Sequence, residues 1–377
     1  MIYKDFQDIK LSGLGLGTMR LPILNNNAAE IDEDTTAKMF DYAIKHGINY
    51  FDTAWGYHNG NSEIVTGKCL ARYPRESFYL ATKFPGYDNS NFPKVKEIFE
   101  KQLEKLQVNY FDFYLFHNVY EGNIDDYLNP AYGVYDYLIE QKRNGRIKHL
   151  GFSCHGSLEV LERFLNAYGK DIEFCQLQLN YMDYHFQDGK RKIELLDKWN
   201  IPIWVMEPLR GGRLAKASPA MSEKMNKLPP EETIPGFAFR FLQSIPSVTM
   251  VLSGMSNPEQ LEANITTWNT YEPLNEEEFK IIVEQQDEET KSAGIPCTAC
   301  EYCTSHCPQG LPIPKIIALY NEHKITGGGF LAPMGLRSMS QDKRPANCIG
   351  CGACAAVCPQ QISIPEIMSD FTKLVNM

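Results

Sequence analysis

Eight short β-rich runs, each followed by an amphipathic segment long enough for a helix, fill the chain from Leu11 to about Trp268, and this alternation limits the fold more than any other feature. The runs cover residues 13–18, 48–52, 78–83, 112–117, 147–153, 173–180, 203–207 and 248–254. The helical segments are led by residues 34–46, 62–72, 93–106, 132–144, 157–167, 190–199, 233–244 and 257–267. A helix between two parallel strands is a crossover, and eight such units in a row predict an α/β fold, a closed (β/α)8 barrel. Gly47 and Gly145 stand where helix C-cap glycines belong, and Pro93 and Pro258 suit a first helical turn, where no backbone donor is needed.

In a barrel of this kind the polar residues at the carboxyl ends of successive strands converge on one mouth. The second run ends on Asp52 and passes into a polar, aromatic loop that carries Tyr57; the third ends on Lys83 and the fourth on His117. A carbonyl that accepts a hydride becomes an alkoxide, so a proton must reach its oxygen. Tyr57 is the candidate acid, with Lys83 beside it to lower a phenol pKa whose ordinary value is about 10. Asp52 would keep Lys83 charged and oriented, and His117 would donate a hydrogen bond to the carbonyl oxygen. Each residue alone also has a plain structural reading, as a loop tyrosine, a surface lysine, a core histidine or a cap. Four of them at consecutive strand ends outweigh that reading. Met19, Trp55, Tyr57, His58, Tyr87 and Tyr120 lie on loops that can wall a modestly apolar pocket.

The pattern Asp52-Thr53-Ala54-x-x-Tyr57, then Ser62-Glu63, Gly67, Thr82-Lys83 and His117, resembles the aldo-keto reductase family over residues 11 to about 270. The resemblance implies a barrel that reduces carbonyls, or oxidises alcohols, with NADP(H) or NAD(H) bound without a Rossmann domain. The chain agrees, having no Gly-x-Gly-x-x-Gly fingerprint that leads a helix with a suitably placed acid. The stretch Gly15-Leu16-Gly17-Thr18-Met19-Arg20-Leu21-Pro22 resembles the branch with C-terminal ferredoxin motifs. The family's pattern places Gly17, Thr18, Met19 and Asp52 beside the cofactor. It gives Ser153 and Gln176 the carboxamide of the nicotinamide. Cys154 stands where many members have Asn, and Met206 where many have a Tyr stacked on the ring. Pro208, Leu209, Arg210, Gly211 and Gly212 resemble the loop over the pyrophosphate, with Arg210 to neutralise it, and Ser256, Gln260 and Asn264 the adenosine site. Where NADPH-preferring members place cations, this chain has Gly254 and Gln260. A phosphate without a cationic partner loses its charge-assisted bonds, so NADH becomes acceptable, with Arg210 and Arg213 as possible compensation.

The C-terminal region carries an internal repeat. Cys297, Cys300, Cys303 and Cys307-Pro308 return 51 residues later as Cys348, Cys351, Cys354 and Cys358-Pro359. Thiolates at this spacing present three sulfurs to one iron–sulfur cube, while the fourth reaches the neighbouring cube. The spacing therefore assigns Cys297, Cys300, Cys303 and Cys358 to one 4Fe-4S cluster, and Cys348, Cys351, Cys354 and Cys307 to the other. Two four-cysteine zinc sites meet the ligand count, but zinc requires neither the third cysteine at this spacing nor the Cys-Pro ending. The segment resembles bacterial two-cluster ferredoxins, which implies a small α+β domain. Cys69 and Cys175 read as buried small hydrophobes.

Three regions result: a barrel over 1–271, an acidic helical connector over 272–290 and the cluster domain over 291–377. The connector is read as solvated, because eight acids face one lysine between Glu272 and Glu289. A net charge of −10 with no long basic run excludes a nucleic-acid reader. No segment has the apolar length of a membrane span or a signal core, which predicts a cytoplasmic protein. The function expected is an NAD(P)H-dependent oxidoreductase acting on a small carbonyl or alcohol, with two clusters for electron transfer. A nicotinamide releases a hydride and a cluster takes single electrons, so a redox partner protein or a flavin is expected between them. Two other readings remain: an electron-transfer or adaptor protein whose barrel binds nicotinamide with little turnover, and clusters that are purely structural.

Overall fold

A short antiparallel hairpin, β1 (Tyr3–Phe6) and β2 (Ile9–Ser12), precedes the barrel and was not expected from the sequence. The computed structural model describes residues 1–228 and 232–375. Its eight parallel barrel strands are β3 (Leu14–Gly17), β4 (Tyr50–Asp52), β5 (Tyr79–Phe84), β6 (Phe111–Val119), β7 (Ile147–Cys154), β8 (Phe174–Gln178), β9 (Ile203–Met206) and β10 (Val248–Gly254). They pair in sequence order and close through β10 against β3, which confirms the (β/α)8 architecture. Strands buried on both faces read as nearly unbroken apolar runs, as Phe111–Val119 does, and this made them visible in the sequence. Phe6 of the hairpin packs edge-on to Trp204, 4.9 Å between centroids, in a cluster with Phe113 and Phe174. These rings lie near the amino ends of their strands, so the hairpin closes the end opposite the mouth.

The helices fall where amphipathic spacing put them. Glu33–Lys45 buries Thr36, Met39, Phe40 and Ala43 on one face, is capped by Asp32, and ends before Gly47, whose φ of +94° suits glycine. Pro258 opens Pro258–Thr267 as expected. Pro93 does not open an α-helix; it lies inside a 3₁₀ turn, Asn89–Lys94, ahead of Val95–Leu106.

By contacts the chain divides into two compact units, Met1–Glu284 and Gln285–Met377. The acidic stretch is helical, Glu276–Ala293, but its first half is not simply solvated. Glu278 pairs with Arg240 at 3.2 Å, Phe279 stacks on Phe241 at 4.8 Å, and Ile282 is fully buried. An apolar stripe under the acids binds it to the barrel unit.

The second unit differs from the α+β expectation. Among its described residues there are helices and turns and no strand. The chain between the two motifs is taken up by helix Ile313–Ile325, Gly327-Gly328-Gly329, helix Leu331–Arg337 and two 3₁₀ turns, leaving no pair of alternating runs to form a ladder. Its core follows the repeat: Leu311, Ile313, Ile316, Ile317 and Tyr320 are buried in the first copy, and Ile362, Ile364, Ile367, Met368 and Phe371 occupy the same places in the second.

Candidate active site and cluster cavities

Asp52 ends β4 and Lys83 lies near the end of β5, and the structure joins them. Lys83 Nζ lies 2.6 Å from Asp52 Oδ1 and donates to the Thr53 carbonyl oxygen at 2.7 Å, with both side chains almost fully buried. Lys83 is thus no surface charge. Burial pushes the lysine down and the aspartate up, and their mutual attraction opposes both shifts. A second layer holds this pair. Glu63 accepts from Thr82 at 2.7 Å and from Gln102 at 2.8 Å, and Gln102 also donates to the Lys83 carbonyl. Ser62 bonds with both Thr18 and Thr53, tying the ends of β3 and β4 together.

Tyr57 begins a 3₁₀ turn after β4, with its ring 5.1 Å from the Lys83 ammonium and 6.1 Å from the His117 ring. Lys83 was expected to depress the Tyr57 phenol, but the phenol is pushed well above its ordinary value, first by burial and then by Asp52, Tyr87 and Glu207. The ammonium is directed at Asp52 and Thr53 instead. His117 is held well below its ordinary value by burial and by Lys83, so it is a neutral imidazole near neutral pH. Tyr87 meets it edge-on at 5.3 Å. Asp52 Oδ2 and His117 Nδ1 are buried without a hydrogen-bond partner among the described residues. The arrangement offers a protonated phenol and a neutral imidazole at one opening, the set needed to receive a carbonyl oxygen.

The expected cofactor residues divide. Ser153 and Gln176 are register partners on β7 and β8. Ser153 Oγ accepts from the Asn118 amide at 2.7 Å, whereas the Gln176 side-chain amide has no hydrogen bond among the described residues and fits a carboxamide. Cys154 is fully buried, and Met206 is partly exposed opposite Gln178. Gly17 lies between Asp52 and Gly254 in the sheet, and Met19 is exposed. Thr18 is fully buried and donates to the Asp52 carbonyl oxygen at 2.9 Å, so it braces the strands rather than facing a ligand. His58, expected on a pocket wall, accepts from Leu21 N–H at 3.1 Å and bonds to the Ala28 carbonyl at 2.7 Å, which makes it a loop staple.

Two further residues change role. Arg210 was expected to neutralise a pyrophosphate, but it is 7% exposed and forks onto Asp183 through Nε at 2.9 Å and Nη2 at 2.7 Å. Gln178 and Asn180 also donate to Asp183, so the loop Pro208–Gly212 is anchored by this arginine from beneath. Gln260 is likewise occupied, accepting the Ser256 amide at 2.8 Å, and Asn264 donates to Ser253 Oγ at 3.2 Å. Arg20, which sequence reasoning passed over, lies against both Gly211 and Gly254.

In the C-terminal unit Cys297, Cys300, Cys303 and Cys358 line one hollow, and Cys307, Cys348, Cys351 and Cys354 line another. Each hollow takes three cysteines from one motif and the last from the other, as the spacing predicts. Among the described residues no three His, Cys, Asp or Glu side chains converge on the spacing of a single ion. The spacing of these cysteines and the Cys-Pro ending suit a cube rather than a lone zinc. Leu311 N–H also points to Cys307 Sγ at 3.5 Å.

Residues 13–287 match the model of the Aldo/keto reductase family, and residues 296–362 match that of a 4Fe-4S dicluster domain. The chain belongs to the aldo/keto reductase family and is, by that membership, an NAD(P)H-dependent oxidoreductase with a C-terminal 4Fe-4S dicluster domain. It is 26% identical to an uncharacterized oxidoreductase of Bacillus subtilis over 73% of this chain and 92% of that one. It is 24% identical to the NADH-specific methylglyoxal reductase of Escherichia coli over 70% of this chain and 91% of that one. An aldo-keto reductase of Bacillus halodurans in its holo form superposes with a TM-score of 0.62, at 24% identity over 76% of this chain and 96% of that one. No described helix is long and apolar enough to cross a membrane.

Proposed function

We propose that the barrel mouth reduces small, modestly apolar carbonyl compounds with NADH. The observation that carries this reading is the Tyr57 phenol set beside the Lys83–Asp52 pair and a neutral His117. When bound, the dinucleotide supplies a hydride. Tyr57 delivers the proton to the carbonyl oxygen, and His117 fixes that oxygen by a hydrogen bond. Lys83 keeps its ammonium 5.1 Å from the ring, and Asp52 holds Lys83 in place. Gln176, with Ser153, orients the carboxamide.

NADH is favoured over NADPH because Gly254 has no side chain and Gln260 is turned to the Ser256 amide, so neither position offers a cation. The NADH specificity of the Escherichia coli relative points the same way. The two clusters exchange electrons with a separate redox partner protein or flavin, in a cytoplasm that keeps their eight cysteines reduced. A barrel that merely senses nicotinamide would have no use for a complete proton-delivery set. The test is steady-state reduction of methylglyoxal by the full, cluster-loaded chain. The expected result is turnover with kcat/KM for NADH above that for NADPH by about tenfold or more, the loss of one charge-assisted phosphate contact. Equal values, or a preference for NADPH, would contradict the nucleotide assignment.

A further inference from the structure

The Arg210 guanidinium is buried on Asp183, so it is not turned to a ligand over the loop Pro208–Gly212. Arg20 is in that position. It ends the 3₁₀ turn Thr18–Arg20 that follows β3, is exposed, and has no hydrogen bond or ion pair among the described residues. Its stem crosses Gly254 at the end of β10: a Cβ on that glycine would meet Arg20 Cβ, Cγ and Cδ at 3.2 to 3.4 Å. Its head lies over the loop after β9, where a Cβ on Gly211 would stand 2.5 Å from Arg20 Nη2. Gly211 also has a φ of +69°, a left-handed backbone that favours glycine whatever the space around it. Arg20 thus runs along glycines at two different strand ends, with its guanidinium at Gly211.

We propose that Arg20 is the cation that binds the pyrophosphate of the dinucleotide, in place of Arg210. The proposal rests on the reading of the barrel mouth as a dinucleotide site. The head of Arg20 stands over the glycine pair Gly211-Gly212, where backbone can approach a phosphate closely, whereas only its stem reaches Gly254, the position expected to face the adenosine end. Guanidinium matches phosphate oxygens two at a time. Because both nicotinamide dinucleotides carry the pyrophosphate, Arg20 serves affinity and not the choice between them.

The experiment is titration of the full, cluster-loaded chain with NADH and, separately, NADPH, read as the dissociation constant from isothermal calorimetry. Arg20→Ala is expected to weaken both by a similar factor of about 10 to 100, the worth of a charge-assisted phosphate contact. Arg20→Lys, which keeps the charge and loses the fork, is expected to recover part of that loss. A loss confined to NADPH would overturn the pyrophosphate assignment and move Arg20 to the 2′-phosphate. Unchanged affinity in Arg20→Ala, with the wild-type chain binding well, would overturn the role of Arg20 and leave the dinucleotide site standing. Failure of the wild-type chain to bind either dinucleotide would overturn both.

Discussion

Replacing Tyr57 with phenylalanine lowers carbonyl turnover by a factor of about 10² to 10⁴, the usual worth of a positioned general acid, while NADH affinity changes little. The substitution keeps the ring over the Lys83 ammonium and removes only the proton that the alkoxide needs. The pH profile follows from the same geometry. The phenol is pushed well above its ordinary value of about 10, so it is protonated throughout the physiological range. An acid with a raised pKa is competent below that pKa and is lost only as pH rises through it. His117, pushed well below its ordinary value by burial, has already lost its charge near neutrality and stays neutral as pH rises. The rate with wild-type protein is therefore flat from about pH 6.5 to 9. Steady-state kcat across that range, with calorimetric NADH affinity for both proteins, checks the prediction. Undiminished turnover in Tyr57→Phe would remove the phenol from the chemistry.

Substituting Cys358 with alanine abolishes the cluster bound by the first motif and spares the one bound by the second. Cys358 lies in the second motif by sequence but lines the hollow with Cys297, Cys300 and Cys303. Removing one thiolate of four leaves an iron open to solvent, and the protein's total iron is expected to fall by about half on anaerobic reconstitution. The reciprocal change, Cys307→Ala, removes the cluster held by Cys348, Cys351 and Cys354. Iron content with electron paramagnetic resonance of the reduced protein distinguishes the two. Loss of the second-motif cluster in Cys358→Ala would show that each motif closes its own cube.

Both predictions rest on residues that the amino-acid sequence alone singles out, for different reasons. The cysteine pairing is set by covalent spacing over a few residues, and the hollows follow it. The barrel strands were legible because burial on both faces leaves an almost unbroken apolar run. The hairpin of β1 and β2 was not, since two strands of four residues around Gln7-Asp8 carry no glycine turn signal. The acidic helix misled because Phe279, Ile282 and Val283 are few beside eight acids, yet they decide where it packs. Thr18, His58 and Arg210 show a further limit. Sequence places a polar group near a mouth, but only the partners it finds decide whether it faces a ligand or braces a loop. Arg210 met Asp183 and Arg20 met two glycines, and neither encounter has a short-range signature.

The most direct test of the barrel as a hydride enzyme is a single turnover of methylglyoxal by the cluster-loaded chain with NADH carrying deuterium at the transferable C4 position. The structure predicts deuterium on the new carbinol carbon and solvent hydrogen on its oxygen, delivered from Tyr57. Consumption of the NADH with reduction of the clusters and no deuterium in the product would contradict it, and would make the barrel an entry point for electrons instead of a carbonyl reductase.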